Sequence, residues 1–262
     1  MTDTLGGPSV VLALVMAEIA VGGLAVLWLT PMWGKVRNGF YKLTGAVLAS
    51  SAILAWLAAR GELSGDLASS RARTGALLLG VFAALTVLWQ VLLWARALTL
   101  SRTVGIAAVP VGAAALIAIA LEPAARASGA LAAFQLLAGS LFIGAVTNGL
   151  LLGHWHLVDR RLSREHLGRI NHFFLAGTVL AAIAVLAGGT GGGEARPDFS
   201  PLLGVGVLTV SLAVGLAVLC AVLGWIIRAL IRENSLQAAT GFFYLAVILA
   251  ISAEFAAKVR FF

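Results

Sequence analysis

A helix that crosses a bilayer needs about 20 consecutive apolar residues, and this chain offers runs near that length eight times. They are Ser9 to Trp33, Phe40 to Ala59, Thr74 to Ala95, Ile106 to Leu121, Leu131 to Trp155, Ile170 to Gly189, Pro201 to Ile227 and Ala239 to Ala257. Short charged or glycine-rich breaks separate them. The fourth run is the shortest, at 16 residues, and contains Pro110, which removes one helical hydrogen bond. The pattern predicts an all-α fold: a polytopic membrane helical bundle of eight spans.

Composition agrees, since only 11% of residues are charged against about 25% in soluble domains. A soluble-type enzyme is therefore excluded, and no nucleophile triad, phosphate loop or dinucleotide fingerprint is present. The leader "MTDTLGGPS" has no basic residue, so the first run reads as a permanent span rather than a cleaved signal.

Lysines and arginines favour cytoplasmic loops. With both termini outside, eleven of the 18 fall on the inner side (Lys35, Arg37, Lys42, Arg96, Arg102, Arg160, Arg161, Arg164, Arg169, Arg228 and Arg232) and seven on the outer. Six of the seven tryptophans also fall toward inner ends, as an interfacial belt would. The expected location is a cell inner (cytoplasmic) membrane. Residues 157–169 form a basic cytoplasmic loop and 190–200 a glycine-rich outer loop. The net charge of +7 is dispersed beside spans, so anionic lipid headgroups, not nucleic acid, are the expected counter-ions. Arg160, Arg161, Arg164 and Arg169 are the candidate lipid-binding residues. The lone Cys220 offers no disulfide or CxxC pair.

Related strings open three spans: "NGFYKLTGAVLASSAILA" from Asn38, "NHFFLAGTVLAAIAVLA" from Asn171 and "TGFFYLAVILAISA" from Thr240. They suggest repeated helical hairpins. Two copies carry Gly39 and Gly241 where the third carries His172.

Ionisable groups inside spans are costly and tend to be functional. Glu18 has no local partner and is the candidate proton carrier, with an interhelical hydrogen bond as the plainer role. Glu254 is expected to pair with Lys258 one turn on. Gln90, Gln135, Thr147, Asn148 and Ser211 are expected to hold helices together.

All four histidines lie in "GHWHLVDRRLSREHLGRINHFF", from Gly153. His154 and His156 point to opposite sides of a helix, and no metal-binding helical spacing such as HExxH is present, so no protein-bound metal is expected. Haem b would need two imidazoles at one depth on neighbouring helices, which His154 or His156 and His172 could supply. A quinone would need an apolar cleft with a histidine and a carboxylate, for which Trp155, His156, Asp159 and His172 are the right types. An interfacial belt of His, Trp and Arg explains the same residues without chemistry. "WHLVD", Trp155 to Asp159, is similar to a string in cytochrome c oxidase subunit III, but it spans five residues and the other signatures of that family are absent.

The leading expectation is a subunit of a larger membrane complex handling electrons, with a quinone or haem site near the cytoplasmic interface. The alternatives are a small-solute or ion transporter and a non-catalytic assembly subunit.

Overall fold

The computed structural model describes residues 8–63, 69–121, 128–159, 161–189 and 206–261. Among them are eight α-helices and no strand: α1 Pro8–Leu29, α2 Asn38–Leu63, α3 Ser70–Trp94, α4 Leu98–Ala120, α5 Gly129–Val158, α6 Arg164–Ala187, α7 Gly206–Arg232 and α8 Leu236–Phe261. Each is long and apolar enough to cross a membrane. The chain is a multi-pass membrane protein built as a helical bundle. The expected outer loop 190–200, residues 201–205 of the seventh run and Arg160 lie outside the described residues.

Consecutive helices pack as hairpins, α3 on α4, α5 on α6 and α7 on α8, while α1 packs on both α2 and α5. A helix that is apolar all round belongs in the interior. α1 is such a helix, with 83% of its most apolar window buried, against 33% for α7. α5, the longest at 30 residues, packs against α1, α6 and α8 and more lightly against α4 and α2. Outward-facing Leu77, Val179, Trp225 and Ile248 are exposed, as a lipid-facing surface requires.

Small residues set the closest approach. A β-carbon built on Gly22 would overlap the carbonyl of Ser140, and one on Gly144 would overlap the Gly22 backbone. The α1 and α5 backbones therefore touch here, as small residues allow in membranes. Two asparagines tie neighbouring helices: Asn148 Nδ2 donates to Gly23 O on α1 at 2.6 Å, and Asn171 Nδ2 donates to Gly224 O on α7 at 3.0 Å. Removing the second bond, in Asn171→Ala, is expected to cost about 1 kcal/mol, read as a lower midpoint of thermal unfolding in detergent.

Two segments differ from the sequence expectation. α4 starts at Leu98, eight residues before the apolar run. Arg102 interrupts the hydropathy but not the helix: its side chain stays exposed, and Ser101 Oγ donates to Trp89 O at 3.2 Å. The helix also continues through Pro110, as spans tolerate. The expected basic loop 157–169 contracts to residues 159–163, because Ser163 caps α6 through the N–H of Glu165 and Glu165 pairs with Arg169 one turn on. A serine cap followed by an acid in the first turn starts a helix.

Candidate functional site

The side chains of an α-helix lean toward its N-terminus. α1 and α5 start at the end of the bundle where α8 finishes, so residues of α1 and α5 lean toward that end and residues of α8 lean away from it, into the bundle. Lys258, near the end of α8, thus sends its ammonium inward. Glu18 on α1 meets it with Oε1 at 2.6 Å. Glu254, one turn earlier on α8, meets the same nitrogen with Oε2 at 2.7 Å. Gln135 on α5 donates from Nε2 to Glu254 Oε2 at 3.1 Å.

The cluster is dry: Glu18, Glu254 and Lys258 are 0%, 2% and 0% exposed. Glu18 stands ten residues into α1, about 15 Å from its start. Gly139, at the matching depth of α5, leaves the room. A β-carbon there would stand 2.5 Å from both Glu18 Oε1 and Glu254 Oε2. Two carboxylates around one ammonium carry one net negative charge when all are ionised, and a single added proton makes the cluster neutral. Glu18 Oε2 has no hydrogen-bond partner among the described residues, so it is the oxygen where a proton can reside without breaking a contact.

The i, i+4 pairing of Glu254 with Lys258 is present as expected. The link to Glu18 is not visible in the sequence, because it joins positions at opposite ends of the chain. Gln135, read only as a helix-binding residue, supplies the fourth member. The one signal available beforehand was depth: Glu18, Gln135, Glu254 and Lys258 all lie toward the same ends of their spans.

The four histidines do not form one cluster, although His156 and His166 are close enough to interact electrostatically. His154 and His172 are exposed on the surface, whereas His156 and His166 are buried. His156 Nδ1 donates to Leu152 O at 2.8 Å. His166, expected at a wet surface, is buried because it lies on the first turn of α6 rather than in a loop. Trp155 packs against Gly39 and Phe40. Gly39 is close-packed for that reason, but Gly241 has open space beside it, and His172 at the matching position points outward. Asp159 follows the last turn of α5 and its Oδ1 accepts the N–H of Arg161 at 3.3 Å. Arg164 donates to the carbonyl of Arg232 at 3.0 Å, Arg169 pairs with Glu165, and Arg161 is exposed. Among the described residues no three His, Cys, Asp or Glu side chains converge as metal ligands would.

Comparison with protein families, with curated proteins and with solved structures gives no match to this chain.

Proposed function

We propose that this multi-pass membrane protein is an ion transporter that moves protons through the bilayer, with Glu18 as the proton-carrying group. The observation behind this reading is the buried Glu18–Lys258–Glu254 cluster. Charge buried inside a membrane-spanning bundle is expensive, and its usual occupants are proton relays and ion pathways. A purely adhesive contact between α1, α5 and α8 needs no charge, and neutral hydrogen bonds already join α1 to α5 and α6 to α7. In the cluster Lys258 holds the two carboxyl groups together, Gln135 orients Glu254, and Glu18 gains and loses the proton. The excess of basic residues on the α1–α2, α3–α4, α5–α6 and α7–α8 connections supports a reading in which these face the cytoplasm across an inner membrane.

The electron-carrier reading draws less support, because two of its three histidines, His154 and His172, face away from the bundle.

The full chain reconstituted in liposomes, with a pH-sensitive dye inside and a potassium-diffusion potential across the membrane, tests the proposal. Glu18→Gln is a suitable variant because Lys258 and Glu254 remain as a neutral pair. Wild type is expected to conduct protons and Glu18→Gln to do so at least tenfold more slowly. No flux from wild type, or equal flux from a folded Glu18→Gln, would overturn it.

A further inference from the structure

Residues three or four apart share one face of a helix, and Lys42, Ala46, Ala49, Ile53, Trp56 and Arg60 form such a row on α2. α3 runs the opposite way and sets Trp94, Val91, Val87, Ala84, Gly80 and Leu77 against it. Between the rows lie two hollows of about 700 and 420 Å³, and because they share Ile53, Val87 and Val91 they make one groove. Small Ala46, Ala49, Gly80 and Ala84 alternate along it with the larger Leu77, Leu88 and Trp94. Apart from indoles, its polar side chains are Ser50 and Gln90, and the Gln90 amide donates to Tyr41 O at 3.2 Å.

One end of the groove is cationic. Lys42 Nζ stands 3.9 Å from the centre of the Trp94 ring, and Trp94, 63% exposed, lines the groove there. Arg37, Arg96 and Arg102 at the same end of the helices are exposed. Residues 19–61 and 67–121 contain no Asp or Glu, so these cations have no acid on their own or adjoining segments. The acids described at this end of the bundle, Asp159, Glu165 and Glu233, belong to the ends of α5, α6 and α7, whereas α2 and α3 pack mainly on α1, α4 and each other. Glu165 is already paired with Arg169 and also feels Lys35. The opposite end of the groove has Arg60 beside Trp56, but there Glu62 and Asp66 follow in the sequence.

An apolar slot that ends in uncompensated positive charge matches an amphiphile with an anionic head. One acyl chain reaches across one leaflet, half of a hydrocarbon core about 30 Å thick, and Ala46 to Trp56 is a rise of about 15 Å. Trp56 crosses to α3 at the far end, where a β-carbon on Gly80 would stand 2.8 Å from its Nε1. We infer that this groove binds one anionic phospholipid from the leaflet on the Lys42 side, with an acyl chain between α2 and α3 and the phosphate at Lys42 and Arg96. The Trp94 ring keeps the Lys42 ammonium at the mouth. This site is independent of the proposed proton path.

Native mass spectrometry of the full chain, released from nanodiscs of mixed phosphatidylcholine and phosphatidylglycerol, counts the lipids that stay bound. Wild type is expected to retain one phosphatidylglycerol in preference to phosphatidylcholine. Lys42→Gln is expected to weaken that retention about fivefold, the weight of one basic residue at an anionic surface. Ala46→Phe, at an exposed position, fills the groove below the mouth and is expected to abolish it. Arg228→Gln removes the cation beside Trp225, away from the groove, and is expected to leave retention unchanged. No preference for phosphatidylglycerol, retention unchanged in Lys42→Gln or in Ala46→Phe, or an equal loss in Arg228→Gln would overturn the inference. So would a doubled mass that Ala46→Phe returns to a single chain, since a second copy would then fill the groove.

Discussion

Lys258→Met is expected to destabilise the protein by about 3–5 kcal/mol, the usual cost of removing one partner from a buried ion pair. The reason is the arithmetic of the cluster. Lys258 is the cation that contacts both Glu18 and Glu254, and methionine fills its volume without its charge, leaving two buried carboxylates facing each other. The loss should be largely reversed in the triple variant Lys258→Met, Glu18→Gln, Glu254→Gln, because a neutral, well-packed replacement of a buried ionic cluster is often close to neutral in stability. Denaturation of detergent-solubilised protein, followed by tryptophan fluorescence, measures both. A single variant within about 0.5 kcal/mol of wild type would mean that the three groups do not share a dry site, since that is the scatter of ordinary surface substitutions.

The second large effect is expected at the α1–α5 crossing. Gly22→Leu and Gly144→Leu should each cost about 3 kcal/mol or more, at or above the top of the range for overpacking. The obstacles are backbone atoms, Ser140 O for the first and the Gly22 main chain for the second, so no rotamer change relieves the overlap. Gly241→Leu is the control, since open space surrounds Gly241, and it should change the midpoint little. Equal behaviour of Gly144→Leu and Gly241→Leu would show that the two helices are not in backbone contact.

The fold was legible because bilayer thickness imposes one length on every span, and eight apolar runs of that order can be counted directly. Boundaries were less legible where a charge sits inside a helix end. Arg102 hid the first turns of α4, and Arg164 to Arg169 hid the first turns of α6, since hydropathy reports where a segment is apolar and not where its hydrogen bonds begin. Tryptophans show a different limit. Trp28, Trp33 and Trp89 were expected in an interfacial belt, but Trp28 and Trp33 pack on Tyr41 and on each other and Trp89 packs on Trp28, at ring separations of 4.9 to 6.2 Å, and Trp89 is fully buried. Only Trp94 and Trp225 face outward in the manner of a belt. Sequence gives the depth of such a residue but not its side of the helix.

The candidate site was half legible for the same reason. Glu18 stands out as an acid in an apolar run, and Glu254 and Lys258 stand out by their spacing. That the three share one point depends on α1 and α8 meeting α5, which no local pattern encodes. The histidine stretch drew attention by composition, yet its members divide by helix face: His156 and His166 are buried, and His154 and His172 point outward.

The pairing of Glu18 with Lys258 also orders events during biosynthesis. The two residues are 240 positions apart, and ribosomes add about 5–20 residues per second, so Glu18 is made roughly 12–48 s before its cation. Through that interval the newborn acid has neither Lys258 nor the rest of α8 beside it. α8 is thus the helix that completes the buried site, and a chain cut short before α8 would leave Glu18 without its counter-charge.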